Sequence, residues 1–503
     1  MPRMDMRRHP QGFAGLPWPR QPLRELGPEF YSELAPQGLP QPELRLYSED
    51  AARLLGLALP AAPQQRADWA ELFSGNRVDP GQLPLATVYA GHQFGNWAGQ
   101  LGDGRAHLLG ELAAPDAAQN GGHACWEVQL KGAGRTPYSR FGDGRAVLRS
   151  SLREFLASEA MWHLGVPTTR ALCLVDSPLP VRRERLERAA VVTRLAPSFV
   201  RIGHFEHFSH SGQHAALRRL LDAWIARFEP DCAHAADPAL ALLQRVAQRS
   251  AELVAHWLAV GFVHGVLNTD NLSMLGWTLD YGPFGFLDAF DPDYTPNTSD
   301  TSGRYSWGRQ PAAVHWGLYA LAAALKPLIG DAQAIEDALQ AFPAAFDAAW
   351  RARLRAKLGL GAQSATADAL ARDWLALLQR ARADWTLSFR HLHDAADGTV
   401  PPQLAAQFST EAGCAEALQA WLQRWRALSD AEARAAMPTV NPLRVLRHHL
   451  AQQAIDAAEH GDFGPAQALH EALREPYQER AAHAAFALPP PPDAPPACLS
   501  CSS

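Results

Sequence analysis

Lysine is nearly absent from this chain: of its 46 basic residues only Lys131, Lys326 and Lys357 are lysine, and the rest are arginine. A chain that writes arginine almost everywhere else uses a compact point charge at position 131. Cysteine is scarce too. Cys125, Cys173, Cys232, Cys414, Cys498 and Cys501 are scattered through 503 residues, which excludes a disulfide-scaffold protein. No apolar run approaches the roughly 20 residues that span a bilayer, and Met1 to Arg20 holds no apolar signal core, so a cytoplasmic protein without a membrane partner is expected. Excess positive charge is also missing: the net charge of -6 argues against a protein whose main task is to hold a nucleic-acid backbone. What remains is ordinary globular composition, 47 % hydrophobic and 19 % charged, in a chain long enough for more than one core.

The organisation expected is α+β. Residues 1–80 are Pro- and Leu-rich with short helical patches such as Ser48 to Leu57, and read as an extension that wraps the core. From Ala86 the texture changes to short strands and glycine turns: Ala86 to Ala90, a glycine-dense loop from Gly91 to Gly104, then Arg105 to Leu112. Trp126 to Lys131 alternates apolar and polar residues as a half-buried strand does. Ala146 to Leu164 reads as a helix closed by Gly165 and Pro167, with Glu154 at its middle. Strands at Ala171 to Val175 and Ala189 to Leu195 flank a charged, proline-containing connection. These make a small β-rich unit over 81–205, followed by a larger helical unit over 206–487 with loops at 263–312 and a flexible tail over 488–503. The pentapeptide Gly-Asp-Gly-Arg-Ala occurs at Gly102 to Ala106 and at Gly142 to Ala146, each reading as an Asp-Gly turn that feeds an arginine into a site.

A glycine-dense loop, a strand ending in Lys131 and a helix carrying Glu154 follow the order of a protein-kinase small lobe. There the loop backbone approaches phosphates, the lysine contacts them and the glutamate fixes the lysine. The loop lacks the kinase GxGxxG spacing. The run Val263-His-Gly-Val-Leu-Asn-Thr-Asp-Asn271 holds His264 and Asn271 at the spacing of the kinase catalytic loop, and Asp280-Tyr281-Gly282 stands where kinases write Asp-Phe-Gly. Asn271 and Asp280 are oxygen ligands suited to a Mg²⁺ that bridges phosphates. Val266, however, occupies the place of the kinase aspartate and cannot take a proton. Asp270 is the carboxylate within the run placed to act as a base. Arg194 and Arg201 could hold a polyphosphate bidentately. His204, His207, His210 and His214 read as solvated or hydrogen-bonded histidines, since Gly203 and Ser209 to Gly212 argue against a regular helix.

The segments Tyr89 to Gly95, Gln100 to Ala106, Gln129 to Arg145, Leu267 to Asn271 and Asp280 to Asp288 resemble those of the selenoprotein O family, and the likeness runs from about residue 10 to the tail. The resemblance implies a bilobal kinase-like fold that binds ATP in a flipped orientation and transfers AMP to protein hydroxyls, releasing pyrophosphate. It assigns nucleotide contacts to Gly102, Gly104, Arg105, Lys131, Asp143, Gly144, Arg194 and Arg201, metal ligands to Asn271 and Asp280, and the proton acceptor to Asp270. Selenium-containing members carry selenocysteine near the C-terminus, where this chain has Cys498-Leu-Ser-Cys501; a local disulfide there is the economical redox expectation. A phosphotransferase and a non-catalytic nucleotide-binding scaffold with a redox tail stand as alternatives. The residues leave open UTP against ATP, Mn²⁺ against Mg²⁺, and the identity of the protein targets.

Overall fold

The computed structural model describes residues 21–78, 83–115, 122–361, 363–408, 411–494 and 499–500. Among them nine strands form one sheet: β1 (Tyr31–Glu33), β2 (Glu43–Tyr47), β3 (Leu85–Gln93), β4 (Asn96–Gly102), β5 (Ala106–Ala113), β6 (Cys125–Lys131), β7 (Ala146–Val147), β8 (Arg170–Arg182) and β9 (Leu186–Ala196). Their order is β1-β3-β5-β6-β9-β8-β2, with β4 on β3 and β7 on β9. Neighbouring strands run antiparallel. A short pair, β10 (Phe262–Val263) with β11 (Gly285–Phe286), lies apart from it.

Period-2 patterning decides the two faces of the sheet. Trp126, Val128 and Leu130 of β6 point into one hydrophobic cluster with Leu195, Val191, Cys173 and the N-terminal residues Trp69 and Phe73. The helices Glu49–Leu54 and Pro63–Phe73 supply that cover, and β2 pairs with β8. The N-terminal region does more than wrap the core: it adds two strands, β1 and β2, and a core layer. The opposite face receives the helix Leu148–His163, whose Leu152, Phe155 and Leu156 are fully buried. Gly165 ends it at φ 78°, with Val166 N–H donating back to the Met161 carbonyl at 3.0 Å.

Within the sheet, two later segments also differ from the sequence expectation. Gly91 to Gly104 is mostly a β3–β4 hairpin instead of a loop: His92 pairs with Trp97 and Gln93 with Asn96. Phe94 and Gly95, at φ 50° and 83°, make the two-residue turn whose twist matches the strands. The connection after Val175 is also strand, since β8 and β9 pair on through Pro180 and Arg188 to Arg182 and Leu186 after a register shift that accommodates the prolines.

Helices dominate after residue 201. Pro238–Ala259 packs on Gln310–Ile329 and on Ala341–Lys357. The segment Trp307–Ile329 is 23 residues long with mean hydropathy 1.3, enough by length and composition to cross a membrane, and half of its apolar window is buried inside the protein. A further core joins Trp374, Trp421 and Trp425 to Trp385 and Met437. The architecture is α+β: an antiparallel sheet with one helix against its inner face, followed by a helical body.

Candidate active site

Strand register brings the first charges together. Gln129 of β6 lies opposite Arg194 of β9, and Lys131 opposite Val192. Gln129, Lys131 and Arg194 therefore share the face that looks at the Leu148–His163 helix. Glu154 rises from that helix to meet both cations: Lys131 Nζ is 2.6 Å from Oε2, and Arg194 Nη1 is 3.2 Å from Oε1. Arg194 also donates to Gln129 Oε1.

Asp280 enters from the other side. It adopts a left-handed backbone at φ 54°, uncommon for a residue with a side chain. Its carboxylate contacts Lys131 at 3.2 Å and pairs with Arg194 and Arg201. Burial alone would raise its pKa, yet Arg201, Arg194 and Lys131 together hold it well below the usual carboxylate range. Arg201 further donates to the Asp270 carbonyl at 2.8 Å. Lys131 is depressed by burial, against the pull of Glu154 and Asp280.

The loop between β10 and β11 carries the remaining groups. His264 is buried, with its N–H donating to Gln310 Oε1 at 2.9 Å and its ring Nε2 2.8 Å from the Leu279 carbonyl, so it braces the loop. Asn271 donates its amide to the Val266 carbonyl at 3.1 Å, which leaves Oδ1 for a cation. Asp270 is half-buried with its Oδ1 buried and unpartnered, and desolvation pushes its carboxyl up to about 6 against the pull of Arg201.

Gly102, Gly104, Arg105, Lys131, Asp143, Gly144, Glu154, Arg194, Arg201, Asp270, Asn271 and Asp280 all line one cleft of about 480 Å³, together with Val266. That volume suits a nucleotide-sized ligand. Its roof is made of close backbone contacts. A Cβ on Gly144, at φ 71°, would lie 2.2 Å from the Gly134 carbonyl carbon and 2.3 Å from Arg135 N, and one on Gly102 would strike the Tyr138 ring. Asp143 is gripped by Arg183 through both oxygens, at 2.8 and 2.9 Å, and accepts from Arg145 N–H at 2.9 Å. Among the described residues no three His, Cys, Asp or Glu side chains form a metal cage. Asn271 Oδ1 and the Asp280 carboxylate are oxygen donors of the kind a Mg²⁺-type ion takes. Cys498 and Cys501 lie outside the described residues; Leu499 between them is buried, and its carbonyl accepts from Thr298 N–H at 2.8 Å and Thr298 Oγ1 at 2.9 Å.

Several residues of the site carried no signal in the sequence. Asp103 is buried and accepts from Thr87 N–H at 2.9 Å and Thr87 Oγ1 at 2.6 Å, which pins the β4–β5 turn. Arg153 donates to the carbonyls of Gly282 and Phe284 at 3.2 and 3.3 Å, fixing the Asp280 loop to the helix that carries Glu154. The histidine segment corrects the expectation of irregular backbone: Ile202–His210 is a helix. Gly203 is there for proximity, since a Cβ would stand 2.2 Å from the Ala90 carbonyl oxygen. His204 is buried, accepting from Arg201 N–H at 3.0 Å and lying 3.2 Å from Thr87 Oγ1.

Comparison with known proteins finds relatives along most of the chain. Residues 19–474 match the family model described as protein adenylyltransferase SelO. A protein nucleotidyltransferase YdiU of Bordetella petrii is 50 % identical over 490 residues, covering 94 % of this chain and 96 % of its own. Another, from Burkholderia pseudomallei, is 49 % identical over 525 residues, covering 98 % and 97 %. A third, from Bordetella avium, is 50 % identical over 483 residues, covering 94 % and 96 %. With a match of that extent, the chain belongs to the protein adenylyltransferase SelO family.

Proposed function

We propose that this enzyme, a nucleotidyltransferase, moves AMP from ATP to serine, threonine or tyrosine hydroxyls of proteins. The observation that carries the reading is the pairing of Val266 with Asp270 on one cleft wall. The kinase base position is apolar, while a half-buried carboxylate with one buried, unpartnered oxygen stands beside the candidate metal ligand Asn271. In this reading the acceptor oxygen bonds to the α-phosphorus as the bond bridging α- and β-phosphates breaks. Asp270 takes the hydroxyl proton, and the electron pair of the broken bond departs on pyrophosphate. Lys131, Arg194 and Arg201 stabilise the departing charge, as preorganised cations in a water-poor site do. Arg105 adds positive charge at the cleft, and the roof at Gly102, Gly104, Asp143 and Gly144 encloses the rest of the nucleotide. A Mg²⁺ or Mn²⁺ on Asn271 and Asp280 would neutralise polyphosphate charge. Glu154 holds Lys131 and Arg194 in place.

The same reading makes the sheet with its Leu148–His163 helix a kinase-like small lobe, over about 81–205, and the helical body to 487 the large one. Support comes from the Lys131–Glu154 pair and from the His264 and Asp280 loops facing it across the cleft. Radiolabel carried to protein from the α-phosphorus of ATP, and not from the γ-phosphorus, is the test.

A further inference from the structure

A run of rings, bridged at one point by the Arg304 guanidinium, leads from solvent to the acceptor side of the cleft. Trp97, at the tip of the β3–β4 hairpin, is 43 % exposed and stacks on His210 at 4.1 Å and 20°. It also meets His92 at 5.0 Å, and His92 meets Trp316 edge-on at 5.2 Å. The Arg304 guanidinium lies over Trp316 at 5.0 Å and over Tyr305 at 5.8 Å, and Tyr305 contacts Phe94 at 5.2 Å. Phe94 is itself on the cleft wall. The run is fixed to the loop of the proposed base: His92 N–H donates to Thr269 Oγ1 at 2.8 Å, and Phe94 N–H to Asn268 Oδ1 at 3.0 Å. Gly91, the next residue of the hairpin, lies so close that a Cβ would come 3.2 Å from Asp270 Oδ1.

Charge along this shelf is uneven. His92 is matched by Glu206 at 2.5 Å. Asp300 is occupied by the backbone N–H groups of Arg304 and Tyr305, at 2.9 and 2.8 Å. Arg304 has no carboxylate partner among the described residues, and its Nε is buried without an acceptor. Isolated exposed aromatics are common on protein surfaces. An aromatic run that ends at a reactive group beside an arginine with no counter-ion among the described residues has the composition of a recognition hot spot.

We propose that this shelf docks the acceptor polypeptide, and that Arg304 selects an acidic residue next to the modified hydroxyl. The inference rests on the adenylyl-transfer reading of the same cleft. An extended acceptor segment lies over Trp97 and Trp316, its carboxylate pairs with Arg304, and its hydroxyl reaches Asp270.

The test uses full-length protein, ATP labelled at the α-phosphorus, and synthetic peptides with one serine flanked by Glu, Ala or Lys. Wild type is expected to use the Glu peptide at least ~10-fold better in kcat/KM than the Ala peptide, with the Lys peptide poorest. Trp97→Ala raises the peptide KM about 10-fold, with the Kd for ATP within about twofold of wild type. Arg304→Gln brings the Glu and Ala peptides within about twofold of each other, and Arg304→Glu reverses the preference toward Lys. Label indifferent to the flanking charge, or a peptide KM unmoved by Trp97→Ala, overturns the shelf alone. No α-label on any peptide overturns the adenylyl-transfer reading and the shelf with it.

Discussion

Lys131 and Glu154 meet at 2.6 Å between Nζ and Oε2, with the lysine side chain 10 % exposed and the glutamate 3 %. A strand and a helix that are apart in sequence deliver opposite charges to one buried point, where Asp280 and Arg194 join them. Removing one member leaves the others desolvated without compensation. Lys131→Ala is expected to lower kcat/KM for AMP transfer by at least ~100-fold. Circular dichroism should still report a folded chain, and activity within about tenfold of wild type would remove Lys131 from the phosphate site.

Asp270 and Asp280 separate by kinetics. Asp270→Asn is expected to cut kcat by about 10²–10⁴ while the Kd for ATP stays within about twofold, because a general base acts in the chemical step. Asp280→Ala strips the charge that Lys131, Arg194 and Arg201 surround, so both kcat and nucleotide affinity fall. Calorimetric titration of ATP into the two variants discriminates them.

Gly144 is the most constrained glycine of the roof. With a positive φ and backbone 2.2 Å from any Cβ, Gly144→Ala forces the Gly134–Arg135 segment away. The expected cost is about 2–4 kcal/mol, read as a lower Tm, with loss of ATP binding. Gly282→Ala is the control: a Cβ there meets nothing within 4 Å, and its φ lies outside the strained range. It should leave Tm within about 1 °C of wild type.

Much of this site was legible in the sequence because each residue sits in an ordered motif. Lys131 closes a period-2 strand, Glu154 follows on a helix with a clear glycine stop, and Asn271 and Asp280 stand in loops with fixed spacing. Asp103, Arg153 and Arg183 were not legible, because their partners Thr87, Gly282 and Asp143 are set by hairpin register and helix docking. Gly203 misled in an instructive way. It reads as a helix breaker by propensity, but close approach to the Ala90 carbonyl requires it inside a helix, a tertiary demand that local preference does not encode. The strand character of Gly91 to Gly102 was hidden for the same reason: its glycines admit the Thr269–Asp270 loop and a tight turn.

Stability should fall on mild acidification. Burial lowers His107 to about 4, His204 to about 3 and His256 to about 3, so each is neutral in the folded state. The unfolded chain takes up protons near the ordinary imidazole value of about 6.5. Below that pH the unfolded state binds more protons than the folded one, so the contribution is complete above about 6.5. It is lost progressively down to the folded values, at about 1.4 kcal/mol per pH unit for each group. Burial raises Glu127 to about 8 and Asp270 to about 6, so these carboxyls take up protons in the folded state first and offset part of that loss. Differential scanning calorimetry should show a net fall in Tm of a few °C between about pH 7.5 and about pH 5, and a Tm that rises would mean that these imidazoles are not buried.

The most direct test of the central claim is parallel incubation of purified protein with a divalent cation and ATP radiolabelled at either the α- or the γ-phosphorus, wild type beside Asp280→Ala. The expected result is protein-bound label from the α position only, absent in the variant. Label arriving from the γ position alone would contradict the account and restore an ordinary kinase despite Val266.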